Sequence, residues 1–233
     1  MLNIQKKYLF LIAIFGFIFS FYFFDIDSYF TLEYIQKNHL LIEEYTHTYP
    51  ITALIIINSI YLILLSFFIP ASVAIYILSG FLFHPILSII LTTITATLGG
   101  LVNFFTIKKT FNLRHNKKIN NLARPLENGF KNNELLYLIL LRLIPSPYIL
   151  QNTITVFFRV KIRNFIFGTI MGILPWATIY CTLGSGLHDL IETTENLNFN
   201  DLITLKIMLP IFALILLILI SLFLKRTFLF GKK

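Results

Sequence analysis

The sequence holds one cysteine, Cys181, and one tryptophan, Trp176, in 233 residues. A lone cysteine excludes an internal disulfide and a cysteine-based metal cluster. Acidic residues are scarce: 11 Asp and Glu stand against 19 Lys and Arg, a formal charge of +8, and none of the acids lies inside an apolar run. HExxH, GxSxG, a Walker A loop and an intramembrane Asp pair are all missing, and His39, His47, His84, His115 and His188 lack metal-ligand spacing. The chain is therefore read as a protein that is not an enzyme, with no cofactor and no metal. The positive charge does not point to nucleic acid either. Lysines and arginines fall in gaps beside apolar runs, where lipid headgroups and the positive-inside rule put them.

Apolar length is what the sequence has in quantity. Hydrophobic residues make up 57%, charged residues 13%, and mean hydropathy is +0.79. The apolar runs at 8–24, 51–69, 71–83, 86–107, 135–158, 164–187 and 207–224 are continuous rather than one-faced, so the bilayer is their expected solvent. The run at 8–24 follows Lys6 and Lys7, yet bulky residues stand where a small-x-small cleavage site would be. It is expected to stay as an anchor helix.

Charge then sets topology. Residues 25–50 and 188–206 are acid-rich, whereas 108–134, "RVKIR" (159–163) and the C-terminal tail are basic. Basic gaps stay cytoplasmic, which places both termini inside a cell inner (plasma) membrane. Residues 51–107 must then cross an odd number of times, and 86–107 is one crossing. Segment 71–83 falls short of the roughly 20 residues a full crossing needs, so 51–83 is expected to be a re-entrant hairpin bent at Pro70 and Ala71. Residues 135–158 lie between two basic gaps and must leave on the side they entered. They form a second re-entrant hairpin, turned at Pro145 and Pro147.

The expected fold is an all-α integral membrane protein built on an inverted repeat, each half a re-entrant helical hairpin (51–83, 135–158) plus a transmembrane helix (86–107, 164–187). An N-terminal transmembrane helix and acidic segment (1–50) precede this core of 51–187. An acidic loop, a C-terminal transmembrane helix and a basic tail (188–233) follow it. Inverted repeats with broken helices meeting near the midplane recur in transporters.

"FIPASVAIYILSGFLF…TLGGLVNFF" and "LLRLIPSPYILQN…RVKIRNFIFGTIMGILPWATIYCTLGSGL" resemble the two halves of the VTT domain. That domain defines the SNARE-associated Golgi / DedA superfamily of multi-pass membrane proteins. The resemblance covers roughly residues 50–187 and rests on the order of Pro70, Gly80, Gly99, Arg142, Pro145, Asn152, Gly168, Gly172, Pro175 and Gly184. It implies two opposed re-entrant hairpins and, since several members are linked to it, movement of lipids between leaflets. Ala71, His84 and Val156 depart from the family pattern, and the first tip, "PAS", lacks the acid many DedA members carry. That departure weakens proton coupling through a buried carboxylate.

Arg142 is the sharpest residue. A charge within an apolar run usually faces a bundle interior or a wet cavity, and its planar donors suit a phosphate. The bland reading is snorkelling, or pairing with carbonyls freed by Pro145. Gln151, Asn152 and Thr155 either satisfy orphaned backbone groups or line a polar track for a headgroup, with Ser72 from the first hairpin. Gly80, Gly99, Gly100, Gly168 and Gly172 are expected at close helix contacts. The function these features imply is a scramblase- or flippase-like translocase for phosphate-bearing lipids. A secondary transporter of a small anion and a non-transporting scaffold are the alternatives. The expected partners are membrane lipids, with anionic headgroups held at the basic cytoplasmic face, and a homo-oligomer is left open.

Overall fold

A computed structural model describes residues 44–110, 121, 123–193, 204–224 and 226. The expected anchor helix 8–24, most of the acidic segment before residue 50, part of each gap at 108–134 and 188–206, and nearly all of the basic tail lie outside the described residues.

Prolines and left-handed caps punctuate the chain. Helix α1 (Pro50–Ser66) starts with proline in its first turn, where a missing N–H costs nothing. It ends in a Schellman motif: the Phe68 N–H donates to the Leu65 carbonyl and the Ile69 N–H to the Leu64 carbonyl, both at 2.9 Å. Phe68 takes the left-handed position, φ 63°, in place of the usual glycine. Helix α2 (Ser72–Leu82) stops just before His84, which precedes Pro85 and is thereby disfavoured from helical geometry. Helix α3 (Pro85–Thr110) begins on that proline.

The gap between 108 and 134 is not all loop. A 3-10 turn (Arg124–Leu126) leads into a short helix, α4 (Glu127–Asn132). Asn133 caps α5 (Glu134–Leu143), its side-chain oxygen accepting from the Leu136 N–H at 3.1 Å. Residues 144–147, "IPSP", interrupt the run, and α6 (Tyr148–Phe157) follows. A second Schellman motif closes α6. The Arg159 N–H donates to the Val156 carbonyl and the Val160 N–H to the Thr155 carbonyl, both at 3.1 Å, with Arg159 at φ 55°. Helix α7 (Ile162–Thr193) runs past the expected end at 187, and α8 (Leu205–Leu224) packs against it. Lys206 and Asp189 pair at 2.6 Å at that end of the two helices.

Lengths separate the helices into two kinds. At 1.5 Å per residue, the 11 residues of α2 and the 10 each of α5 and α6 rise only about 15 Å, half of a roughly 30 Å hydrocarbon core. Helices α3, α7 and α8 are long and apolar enough to cross a membrane. Leu209, Phe212, Leu216, Leu219 and Phe223 of α8 are exposed, as lipid-facing residues are.

The long helices α3 and α7 pack on each other at the centre. Helix α1 packs on α3, the long helix that follows it, while α2 makes its largest contact with α7. The second pair does the same with the helices exchanged: α5 packs on α7 and α6 on α3. Glycines make the closest seams. A Cβ at Gly80 would strike the backbone of Cys181, and one at Gly184 the Ile77 carbonyl, so α2 and α7 meet backbone to backbone. Gly168 faces Leu138 and Gly172 faces the Arg142 stem, which brings α5 equally close to α7. Gly99 faces Leu65 across the α1–α3 seam.

Candidate functional site

Arg142 lies in the last turn of α5, where the helix dipole favours a cation, and only 2% of it is exposed. Its two terminal nitrogens donate across the break to α6: Nη1 to Gln151 Oε1 at 3.0 Å and Nη2 to Asn152 Oδ1 at 2.6 Å. The guanidinium is also sandwiched by rings, 4.5 Å from the centre of Tyr148 and 5.3 Å from that of Phe165. Cation–π contacts strengthen when water is excluded, to about 2 kcal/mol. No carboxylate among the described residues pairs with Arg142. Among the described residues the cation is held by neutral dipoles and ring faces.

The turn explains why α5 and α6 place these groups together. Pro145 and Pro147 keep residues 144–147 out of both helices, so the Ile144 and Ser146 carbonyls in the turn have no intrahelical partner. Gln151 Nε2 fills that need, donating to the Ile144 carbonyl at 3.1 Å, the Ser146 carbonyl at 3.3 Å and Ser146 Oγ at 3.1 Å. The amide thus ties the turn with its nitrogen and orients Arg142 with its oxygen. The two readings of Gln151, structural staple and site residue, describe opposite ends of one side chain.

The site keeps spare donors. Arg142 Nε and Asn152 Nδ2 are both buried without a hydrogen-bond partner. Such groups carry a desolvation penalty of about 1–3 kcal/mol each, and no acceptor among the described residues meets either one.

The other expected site residues are placed differently. Thr155 is fully buried, but its hydroxyl donates to its own helix, to the Asn152 carbonyl at 2.7 Å. Ser72 makes no hydrogen bond to Arg142, Gln151 or Asn152. Its hydroxyl neighbours Tyr61, which donates to Tyr76 at 3.1 Å. Ser72 thus lies beside the Tyr61–Tyr76 pair, which shares a core cluster with Tyr148 under Arg142. Pro70 and Ala71 lie in the α1–α2 turn, and Pro145 and Pro147 in the α5–α6 turn.

Three residues were absent from the sequence reading. Tyr148 forms the floor under Arg142 and donates its hydroxyl to the Ala96 carbonyl of α3 at 2.8 Å, with Gly100 leaving room for it. Phe165 supplies the second ring face from α7. Asn103 of α3 donates to the Leu65 carbonyl at 3.0 Å, bracing the end of α1. The signal for Asn103 was available, since an amide on a membrane-length helix needs a partner. Tyr148 and Phe165 carry no such mark among 25 Phe and 11 Tyr.

The VTT domain matches residues 69–186, about half of the chain. The chain belongs to the VTT-domain family. That domain spans α2 to most of α7, so it holds Arg142 and both of its amide partners. A protein of Caenorhabditis elegans described as transmembrane protein 41 homolog is 30% identical over 151 residues, which is 63% of this chain and 61% of the relative. Transmembrane protein 41B of Xenopus tropicalis is 25% identical over 173 residues, 72% of this chain and 62% of the relative. The human transmembrane protein 41B is 24% identical over the same length, 59% of its own. The chain spans about three fifths of these relatives. No solved structure matches it. Family, composition and long apolar helices agree that this VTT-domain protein is an all-α, multi-pass membrane protein.

Proposed function

We propose that the protein is a lipid translocase of the scramblase or flippase kind, moving phosphate-bearing lipids between leaflets. In this reading α1–α2 and α5–α6 are opposed re-entrant hairpins of an inverted repeat, entering from opposite faces of a cell inner membrane with both termini cytoplasmic. The exchange of packing partners supports it, because each pair reaches across to the other half's long helix. The observation that carries the proposal is the buried Arg142, which has no counter-ion among the described residues and whose Nε, like the neighbouring Asn152 Nδ2, lacks a hydrogen-bond partner there. A lipid phosphate would supply both the negative charge and the missing acceptors. Parting of α6 from α3 would expose the guanidinium while acyl chains stay in the bilayer, a role in transport rather than chemistry.

The near-complete enclosure of Arg142 favours a second reading, a secondary transporter of a small anion able to enter without a groove. Purified protein in liposomes carrying a fluorescent reporter lipid separates the two. Protein-dependent flip, with no uptake of inorganic phosphate or chloride down a salt gradient, is the expected result. Gradient-driven anion uptake without flip would replace the first reading with the second. Neither activity would leave a scaffold.

A further inference from the structure

A cleft of about 580 Å³, whose lining does not include Arg142, opens between α4 and the end of α6. Its charged lining is Glu127, Lys131, Glu134 and Arg159, and its apolar wall includes Phe130 and Phe158. The charges do not simply cancel. Lys131 and Glu127 pair with each other at 2.9 Å, one turn apart on α4. Glu134 spends one oxygen on α7, accepting from the Lys161 N–H at 2.7 Å and from Asn164 Nδ2 at 2.9 Å. Its other oxygen has no partner and no cation pairs with it among the described residues. The Arg159 guanidinium likewise makes no hydrogen bond or ion pair there, and the residue is exposed. One anion and one cation are left over.

Arg159 stands at a costly place. It is the left-handed residue of the Schellman cap, φ 55°, a position that glycine fills most readily. The cap projects its side chain to the rim of the cleft without help from any other contact. Phe130 and Phe158 stack on each other at 4.5 Å between ring centres, giving the cleft a fixed apolar wall.

We infer that this cleft binds a zwitterionic phospholipid headgroup, with Arg159 on the phosphate and Glu134, backed by the Phe130–Phe158 wall, on the ammonium. The site rests on the lipid-translocase reading for its purpose, a docking point on the basic face. Its occupancy is an equilibrium property that can be measured without transport.

The test is native mass spectrometry of the full chain in detergent, with dioleoylphosphatidylethanolamine or dioleoylphosphatidylglycerol added. These lipids share the phosphate and differ in the ammonium. The wild type is expected to retain the ethanolamine lipid roughly tenfold better, the effect of one charge-assisted hydrogen bond. Glu134→Gln keeps the acceptor for Lys161 and Asn164 and should abolish the preference, leaving glycerol-lipid retention unchanged. Arg159→Gly relieves the cap and should keep or raise the thermal midpoint while retention of both lipids falls roughly tenfold. Equal retention of the two lipids by the wild type, or unchanged retention by Arg159→Gly, would overturn the site. Displacement by soluble glycerophosphoethanolamine at the lipid's own concentration would overturn the lipid assignment, and resistance to it supports a membrane source. Lost flip with this binding pattern intact would sink only the translocase reading, and the converse only the cleft.

Discussion

In α1–α2 the chain turns between Ser66 and Ser72 through Phe68, and the buried polar side chains within the pair are the hydroxyls of Tyr61, Tyr76 and Ser79. In α5–α6 it turns between Leu143 and Tyr148 and encloses a guanidinium held by two amides. Both pairs end one helix in a Schellman cap without glycine, and both exchange packing partners with the long helices in the same way. The first pair therefore shows what this packing plan needs: a proline at the turn, glycines at the seams and small buried hydroxyls. An arginine is not among those needs. A buried ion stabilises a fold poorly, since desolvation offsets what its partners return. Its presence in the second pair alone is the reason to look for function there.

Breaking the shared plan should have the largest effect. Gly184→Val puts a branched side chain into the Ile77 carbonyl of the facing helix, where neither backbone can yield. A destabilisation beyond about 4 kcal/mol is expected, seen as loss of the monodisperse peak in size-exclusion chromatography. A wild-type peak from this variant would show that the α2–α7 seam is not what joins the halves.

Smaller losses sharpen the contrast between the pairs. Gln151→Leu removes the amide donor to the Ile144 and Ser146 carbonyls and an acceptor from Arg142, leaving Ile144 only the long 3.4 Å contact from Ser146 Oγ. About 2–3 kcal/mol of stability should go, measured by SDS unfolding in mixed micelles. Tyr61→Phe removes one hydroxyl bond in the first pair and should cost about 1 kcal/mol in the same assay. Equal costs would mean that the two pairs are not chemically distinct. Tyr148→Phe is the mildest change with a bearing on the site. It loses the bond to Ala96 but keeps the ring under Arg142, so reporter-lipid flip should fall less than about threefold.

Helix breaks were the most legible part of the fold. Pro70, Pro145 and Pro147 act locally, by fixing φ and removing donors, so their effect can be read without knowing the neighbours. Arg142 with Gln151 and Asn152 was legible for the same reason: the spacing across a two-proline turn brings them within reach. The departures came from distant contacts. Ser72 was expected to line a headgroup track with Arg142, and its hydroxyl lies beside Tyr61 instead of bonding the guanidinium. Tyr148 and Phe165 matter through ring placement, which composition does not mark. Phe68 and Arg159 lie left-handed without being glycine, so no residue type announced those caps. The short α4 fell inside a stretch read only as a basic gap.

The central claim is that Arg142 contacts the transported phosphate, while the first pair supplies packing. It is tested most directly by reporter-lipid flip in one batch of liposomes containing wild type, Arg142→Ala or Ser72→Ala at equal protein density. The account predicts that Arg142→Ala lowers the initial rate at least about tenfold, the loss of a charge-assisted contact, while Ser72→Ala stays within about twofold of wild type. Flip by Arg142→Ala at the wild-type rate, or an equal loss in both variants, would contradict it.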